Sequence, residues 1–439
     1  MKKAGIIHLG CAKNQVDTEI ILGFLKELGY TLTSSEEEAD ILLVNTCAFI
    51  KPALEESESS IRSLEKYKKL GKKIVVTGCL VERFKKDLES KFPFVDLFIG
   101  PGEYMNFKNL LNKDNGFTEK VITSPASNFL YTSAMTRLLF TPYSAYVKIS
   151  EGCNNFCSYC TIPYIRGRMR SREIEDIVNE VEKLIRNGVK EINMISQDTT
   201  RYGEDLYGKP SLARLLSKLE KIEGDFYIRL LYLYPSRLGN EIIQLIKNSE
   251  KIVPYFDIPL QHVNDEILKN MNRSYGKNEI INIWNKIREN FPDAIIRTTF
   301  IVGFPGESEK KFEELYNFIQ EYYFDRLGVF PYYPEDGTKA QNLPEQIDEE
   351  EKKKRVDIIM STQKEISKDL NKKMVNKELE VIVEGFDGRY FYGRSWREAP
   401  EVDGLIYIVG AEKKKIKMGE KVKVRIKKYK SYDLLGEIV

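Results

Sequence analysis

The sequence predicts an α/β protein in three parts. These are an N-terminal doubly wound parallel sheet, a central open partial β/α barrel, and a C-terminal small all-β barrel. Three observations carry this. Residues 1 to about 112 alternate unbroken apolar runs with helical patterns, the signature of strands buried on both faces of a parallel sheet. Residues 143 to about 335 repeat strand and helix six times, the spacing of an incomplete β/α barrel. Residues 374–439 change to short runs of period two with Gly and Asp at the turns, as in a five-stranded barrel of the oligonucleotide-binding shape.

Taken in order, the first sheet draws its strands from 5–9, 40–45, 73–77 and 95–100, with helices at 17–28, 52–70, 81–92 and 104–111 behind them. Residues 113–141 lose periodicity, are rich in Ser, Thr and Asn, and read as a linker or lid. The barrel strands fall at 143–149, 191–196, 226–233, 253–258, 295–302 and 327–333. On the first of them Tyr143, Ala145, Val147 and Ile149 share one face. Residues 349–373 form one charged helical pattern that buries Val356, Ile359, Met360, Ile366 and Leu370, with Gln363 as an interruption. The expected division is therefore 1–112, a linker 113–141, a core 142–348, a connector helix 349–373 and a small barrel 374–439.

The 439 residues suffice for two to four such units. With 42% hydrophobic and 31% charged residues the composition is that of an ordinary soluble protein. No run approaches the roughly 18 apolar residues of a membrane span, and the N-terminus lacks the apolar core of a signal peptide, so a cytoplasmic protein without a membrane partner is expected. A net charge of +2 does not announce a nucleic-acid partner.

The six cysteines form two sets of three. Cys11, Cys47 and Cys79 each lie just past the carboxyl end of a predicted parallel strand, where open α/β sheets gather ligands. Three buried apolar thiols is the plainer reading, but three at one sheet edge favours a site. Cys153, Cys157 and Cys160 lie on one short loop after the first barrel strand. Three thiolates so spaced can hold three corners of a cubane iron–sulfur cluster and leave the fourth iron open. A structural zinc site needs a fourth protein ligand, and no Cys or His stands nearby in sequence.

The spacing CNNFCSYC resembles the CX3CX2C loop of the radical S-adenosylmethionine (SAM) superfamily. That resemblance implies that SAM binds the open iron and is cleaved by one electron to a 5′-deoxyadenosyl radical, with Tyr159 lying against the adenine. The longer stretch EGCNNFCSYCTIPYIRGRMRSR, including Glu151-Gly152, Arg166-Gly167 and Ser171-Arg172, is similar to the methylthiotransferase family within that superfamily. Its three domains would be an N-terminal cluster domain, a radical SAM core and a TRAM domain, covering essentially the whole chain. The resemblance implies a second 4Fe-4S cluster on Cys11, Cys47 and Cys79, which fall in GCAKNQVDTE, NTCAF and TGCL.

The family has a tRNA-adenosine branch and a ribosomal-protein branch. Cys11-Ala12-Lys13-Asn14, the stretch from Gln197 to Gly203 and the stretch from Ala399 to Gly404 resemble the latter. The resemblance thus implies transfer of a methylthio group to the β-carbon of an aspartate in small-subunit ribosomal protein S-twelve (uS12), with sulfur delivered through the second cluster and electrons from an unidentified donor. Gln197 and Asp198 at a strand end, and Gly303 and Phe304 in the turn closing the fifth barrel strand, are candidate SAM contacts. His262 and His8 read as structural, although His262 lies near the barrel mouth. Lys421, Lys423, Arg425 and Lys427 make one strand face basic, either as a solvated face or as an RNA contact. The basic face keeps a tRNA substrate as one alternative. A noncatalytic iron–sulfur RNA-binding or redox module is the other, and it leaves the barrel without a purpose.

Overall fold

A computed structural model describes residues 2–85, 87–112, 119–410 and 416–439. Its first sheet is parallel and six-stranded, in the order Thr31–Leu32, Lys3–His8, Ile41–Thr46, Lys73–Gly78, Leu97–Ile99 and Val121–Ile122. The central four strands match the apolar runs, and Ile41–Thr46 is buried along its whole length. The two outer strands have no such run. Val121–Ile122 lies in the stretch expected to be a linker, and pairing with Leu97–Ile99 gives it a place in the sheet. Beyond it Phe129 and Tyr131 are buried in the apolar cluster that includes the first helix, and Leu138 N donates to Glu19 O at 3.0 Å, so 119–141 is packed structure; 113–118 lie outside the described residues.

The helices depart from expectation at identifiable residues. The first, Ala12–Glu27, begins directly after Cys11. Its apolar stripe hides the fact that Asn14, Gln15, Asp17, Thr18 and Glu19 are also buried, because protein covers it on nearly all sides. The helix expected over 81–92 breaks at Lys85, whose φ is +40°.

The central sheet is open, parallel and six-stranded, in the order Arg326–Pro331, Ile295–Val302, Ile252–Asp257, Tyr227–Leu230, Glu191–Ile195 and Ser144–Lys148. Ala145, Val147 and Ile149 enter the core under the helices, while Tyr146 points to the other side. There one apolar cluster joins Val16 and Ile20 of the first helix to Leu231 and Tyr255 of the barrel and Ala399 of the last domain. The helix Glu349–Lys372 packs on the strand Arg326–Pro331. Gln363 is buried there as a specific contact, donating to Phe324 O at 3.0 Å and Ser367 Oγ at 2.9 Å.

The last unit is a closed barrel of Glu378–Phe386, Phe391–Arg394, Ile406–Val409, Leu434–Ile438 and Lys421–Tyr429. It docks where the central strands begin. Glu191, fully buried, accepts from Arg394 Nη2 at 2.7 Å and Arg229 Nη2 at 3.0 Å. Ala399 is buried and Asp403 accepts from Tyr255 Oη at 2.6 Å, so part of the stretch from Ala399 to Gly404 serves as a plug between domains. Among the described residues no helix is long and apolar enough to cross a membrane.

Burial alone would raise the Glu191 carboxyl, but Arg394 and Arg229 outweigh it and hold it at about 2. Its contribution is present above the ordinary carboxylate range and lost as pH falls through about 2. Replacing Glu191 by Ala leaves the buried Arg229 without a carboxylate and Arg394 with Glu384 alone, and should cost about 3–5 kcal/mol at neutral pH. Thermal unfolding should show that difference shrinking as pH is lowered from about 4.5 towards 2; a difference independent of pH would contradict it.

Candidate functional site

The strand ends bring the N-terminal cysteines together. Cys11 precedes the first helix, Cys47 follows Ile41–Thr46, and Cys79 opens the helix after Lys73–Gly78. Gly10, with φ +96°, lets the first turn close on the second: a Cβ there would lie 2.8 Å from Cys47 Cβ and 3.2 Å from its Sγ. The Cys47 amide donates to Ser57 Oγ at 3.0 Å, which fixes the second turn. Burial, and then the neighbouring Cys79 and Cys11, push the Cys47 thiol up to about 12.

The second triad is built on the loop after Ser150–Glu151. Gly152, with φ +76°, turns the chain under the loop; a Cβ there would lie 2.3 Å from Arg168 O. The Cys153 amide donates to Gly167 O at 3.1 Å and the Cys160 amide to Cys157 O at 3.0 Å. Asn272 donates to Phe156 O at 2.8 Å, and Arg273 Nη1 lies 3.4 Å from Cys157 Sγ. Burial, then Cys157 and Cys153, push the Cys160 thiol up. The Cys153 thiol rises to about 11, chiefly through burial.

All six cysteines are free. Among the described residues no three His, Cys, Asp or Glu side chains converge as ligands of a single ion would. A cubane cluster instead takes one thiolate per iron corner. In each triad burial and neighbouring thiols oppose ionisation, at Cys47 in the first and at Cys153 and Cys160 in the second, and a cationic cluster core would relieve this, so both triads fit such a group in their chemistry.

The other expected site residues divide. Tyr159 packs edge-on to Phe304, ring centroids 6.5 Å apart. Phe304 is fully buried in a small cluster with Ile267, Met271, Tyr332 and Ala340, and the Gly303 amide donates to Glu307 at 2.8 Å. Asp198 is occupied by protein: it accepts from Asn155 Nδ2 at 2.8 Å, Arg237 Nη1 at 2.7 Å and Thr200 Oγ1 at 2.6 Å. It therefore braces the cysteine loop through Asn155. Gln197 donates to Glu151 at 2.9 Å and leaves its buried Oε1 without a protein partner, an acceptor or orientation available to a ligand. His262 is fully buried, accepts at Nδ1 from the Asn264 amide at 2.9 Å and sits 3.7 Å from Glu307, as a structural histidine does. His8 Nδ1 pairs with Thr18 Oγ1 at 3.0 Å.

Arg166 joins the two triads, a role that local sequence reading does not reveal. It follows the second cysteine loop, yet its Nε and Nη2 lie 3.3 and 3.2 Å from Cys79 Sγ. Its Nη1 donates to Asp17 at 2.7 Å and its Nη2 to Asn14 at 3.1 Å. Asp17 also accepts from Lys148 Nζ at 2.6 Å, which bonds Glu151 at 2.5 Å. Two carboxylates and two cations thus balance in a nearly dry interface. The available sequence signal was a helix carrying Asp17 and Glu19 beside apolar residues, with Arg166 in a motif of unassigned role.

The basic face of the last domain is compensated. Lys421 pairs with Asp225 at 2.5 Å, Lys423 with Glu378 at 3.5 Å, Arg425 with Glu378 at 2.7 Å and Lys427 with Glu437 at 2.7 Å. This weakens the reading of that face as a phosphate-binding stripe.

An open parallel half-barrel with three free thiols on the loop after its first strand defines a radical SAM enzyme. Family models agree: the Radical SAM superfamily matches residues 147–319, the Uncharacterized protein family UPF0004 residues 3–100, and the TRAM domain residues 375–439. Among solved structures, the radical SAM methyltransferase TsrM from Kitasatospora setae superposes with a TM-score of 0.56 at 14% identity, covering 77% of each chain; it supports the fold. Ribosomal protein uS12 methylthiotransferase RimO of Dictyoglomus thermophilum is 64% identical over 100% of both chains. The proteins of that name from Thermoanaerobacter sp. (strain X514) and Aquifex aeolicus are 47% and 45% identical, covering 100% of both chains and 99% and 96% respectively. The chain belongs to the RimO family of ribosomal protein uS12 methylthiotransferases.

Replacing Arg166 by Met would leave Asp17 to Lys148 alone and Cys79 without its donor. A loss of about 3–5 kcal/mol is expected, the cost of breaking a buried charge network from one side. Thermal unfolding would measure it, and hydrogen exchange should quicken in the helix Ala12–Glu27 and the helix Ile162–Ile165 together. Unchanged exchange in the first helix would show that Arg166 does not hold the domains together.

Proposed function

We infer that this protein is a radical SAM methylthiotransferase that adds a methylthio group to the β-carbon of an aspartate in ribosomal protein uS12. The observation that carries the reading is the pair of cysteine triads on facing domains, joined through Arg166. Full-length similarity to RimO proteins supports the substrate.

Cys153, Cys157 and Cys160 would hold one 4Fe-4S cluster and Cys11, Cys47 and Cys79 a second. When bound, the first cluster with SAM supplies the radical that an unactivated carbon requires, and the second supplies the sulfur. The chain orients these groups. Asp198 and Asn155 hold the loop that carries Cys153, Arg273 borders Cys157, and Arg166 borders Cys79. Tyr159, Gln197 and Gly303 would contact SAM, with Gln197 Oε1 an acceptor that has no protein partner; Phe304 would act from behind Tyr159 and Asp198 from behind Asn155. The packed segment 119–141 would help exclude water from the radical site. Functional units of 1–112, 142–348 and 374–439, with a connector at 349–373, follow the same reading. An external electron donor is required, and the TRAM domain would guide docking to uS12, alone or beside ribosomal RNA.

Anaerobically reconstituted protein should bind about eight irons per chain, two cubane clusters' worth. Replacing Cys11, Cys47 and Cys79 together by Ala should halve that and stop methylthio transfer while SAM cleavage persists. Replacing Cys153 by Ala should abolish 5′-deoxyadenosine formation. Mass spectrometry of uS12 and of tRNA from cells with and without the gene decides the substrate: a modified aspartate in uS12 is expected, and a change confined to tRNA would overturn the reading.

A further inference from the structure

Lys13 is a half-buried cation with no acid of its own. It lies two residues after Cys11, in the first turn of the helix Ala12–Glu27. Its side chain crosses from the N-terminal domain to the mouth of the barrel. Nζ lies 3.1 Å from the centroid of the Tyr232 ring and 3.4 Å from Ser196 O, a long contact. Among the described residues no carboxylate comes within ion-pairing distance of it. Asp257, at the end of the neighbouring strand, is engaged by Arg297 Nη1 at 2.7 Å and by the Tyr232 amide at 2.9 Å. Elsewhere in this interface the deeply buried cations are matched: Lys148 by Asp17 and Glu151, and Arg137 by Glu19 and Glu180. Lys13 rests instead on the Tyr232 ring and near the Cys11 thiol, neither of them a carboxylate, so an anion that reached the barrel mouth would find its ammonium without an ion pair.

The wall beneath it is strained in a way that points to use. Tyr232 holds φ +61°, a left-handed conformation that a bulky residue avoids. Its amide is tied to Asp257, and its carbonyl accepts from the Thr199 amide at 3.0 Å. These bonds hold the ring against the Lys13 ammonium. Such strain, of order 1–3 kcal/mol, persists where surrounding contacts enforce it, and it clusters at ligand clamps.

We propose that Lys13 is the anchor for the carboxylate of the target aspartate, pairing with it at the barrel mouth between the two cysteine triads. The pair would set the β-carbon, one bond from that carboxylate, between the domain that carries Cys11 and the loop that carries Cys153. It would also select aspartate over asparagine, because the amide offers Lys13 no charge. The proposal rests on the uS12 reading above, and its test separates the two.

Binding of uS12, and of uS12 with its target aspartate replaced by asparagine, would be measured on reconstituted wild-type, Lys13→Met and Lys13→Arg enzyme, with iron content as the check on folding. Wild-type enzyme should bind the aspartate form at least about 30-fold more tightly than the asparagine form, the effect of losing a desolvated charge pair. Lys13→Met should bind both forms equally and as weakly as wild type binds asparagine, so that the two changes are not additive. Lys13→Arg should restore part of the preference. Undiminished discrimination by Lys13→Met overturns the proposal. Should that variant not fold, equal binding of the two forms by wild-type enzyme overturns it while leaving uS12 as substrate. Failure of wild-type enzyme to bind or modify either form removes the substrate reading and the anchor with it.

Discussion

The structure depends on a buried charge network that clamps the N-terminal sheet onto the half-barrel. Asp17 from the first domain accepts from both Lys148 and Arg166 of the second, and Glu151 closes the set. Burial alone would raise the Glu151 carboxyl, yet Lys148 and Arg166 hold it well below the usual range. A buried ion set of this kind adds little net stability compared with apolar packing, because desolvation consumes most of the Coulombic gain. Its value is geometric. Four charges that must all be satisfied permit one docking of the two domains, whereas an apolar interface tolerates sliding.

That docking is what puts the two cysteine sets to work together. Each set is organised by its own local turns, at Gly10 for one and Gly152 for the other. Neither turn fixes where the opposite set lies. Arg166 does so, because the residue that braces Asp17 also touches Cys79. A second charge set, Glu19 and Glu180 around Arg137, ties the segment between the domains to both of them. At the other end of the barrel Glu191 receives Arg394 from the last domain. The central sheet is therefore held at both ends by buried carboxylates facing guanidiniums, which suits a reaction that must keep water and stray motion out.

Much of this was legible in the sequence. The parallel strands announce themselves because buried strands read as unbroken apolar runs, and the cysteine loop because three thiols at that spacing have few other uses. Thr31–Leu32 and Val121–Ile122 were not legible, since an edge strand of two residues carries no periodicity. The first helix was misleading in its polar residues. Asp17 and Glu19 look like solvent positions until a second domain covers them. The alternating cations of Lys421–Tyr429 are visible in sequence, but the acids that neutralise them come from the neighbouring strands Glu378–Phe386 and Leu434–Ile438 and from Asp225. Asp198 was placed correctly at a strand end, yet which groups it bonds depends on Asn155 and Arg237 arriving from elsewhere.

The sequence by itself determined the parts: two parallel α/β units, a small β-barrel, and thiols at the strand ends of one and on the first loop of the other. These follow from periodicities and spacings that act over a few residues. Tertiary structure alone decided which charged groups meet. Arg166 and Cys79 are 87 residues apart, and Lys13 reaches the carbonyl of Ser196 across 183. Pairings at that range are set by the docking of whole sheets, and the free energy that selects them lies in desolvated charges whose partners no local pattern encodes.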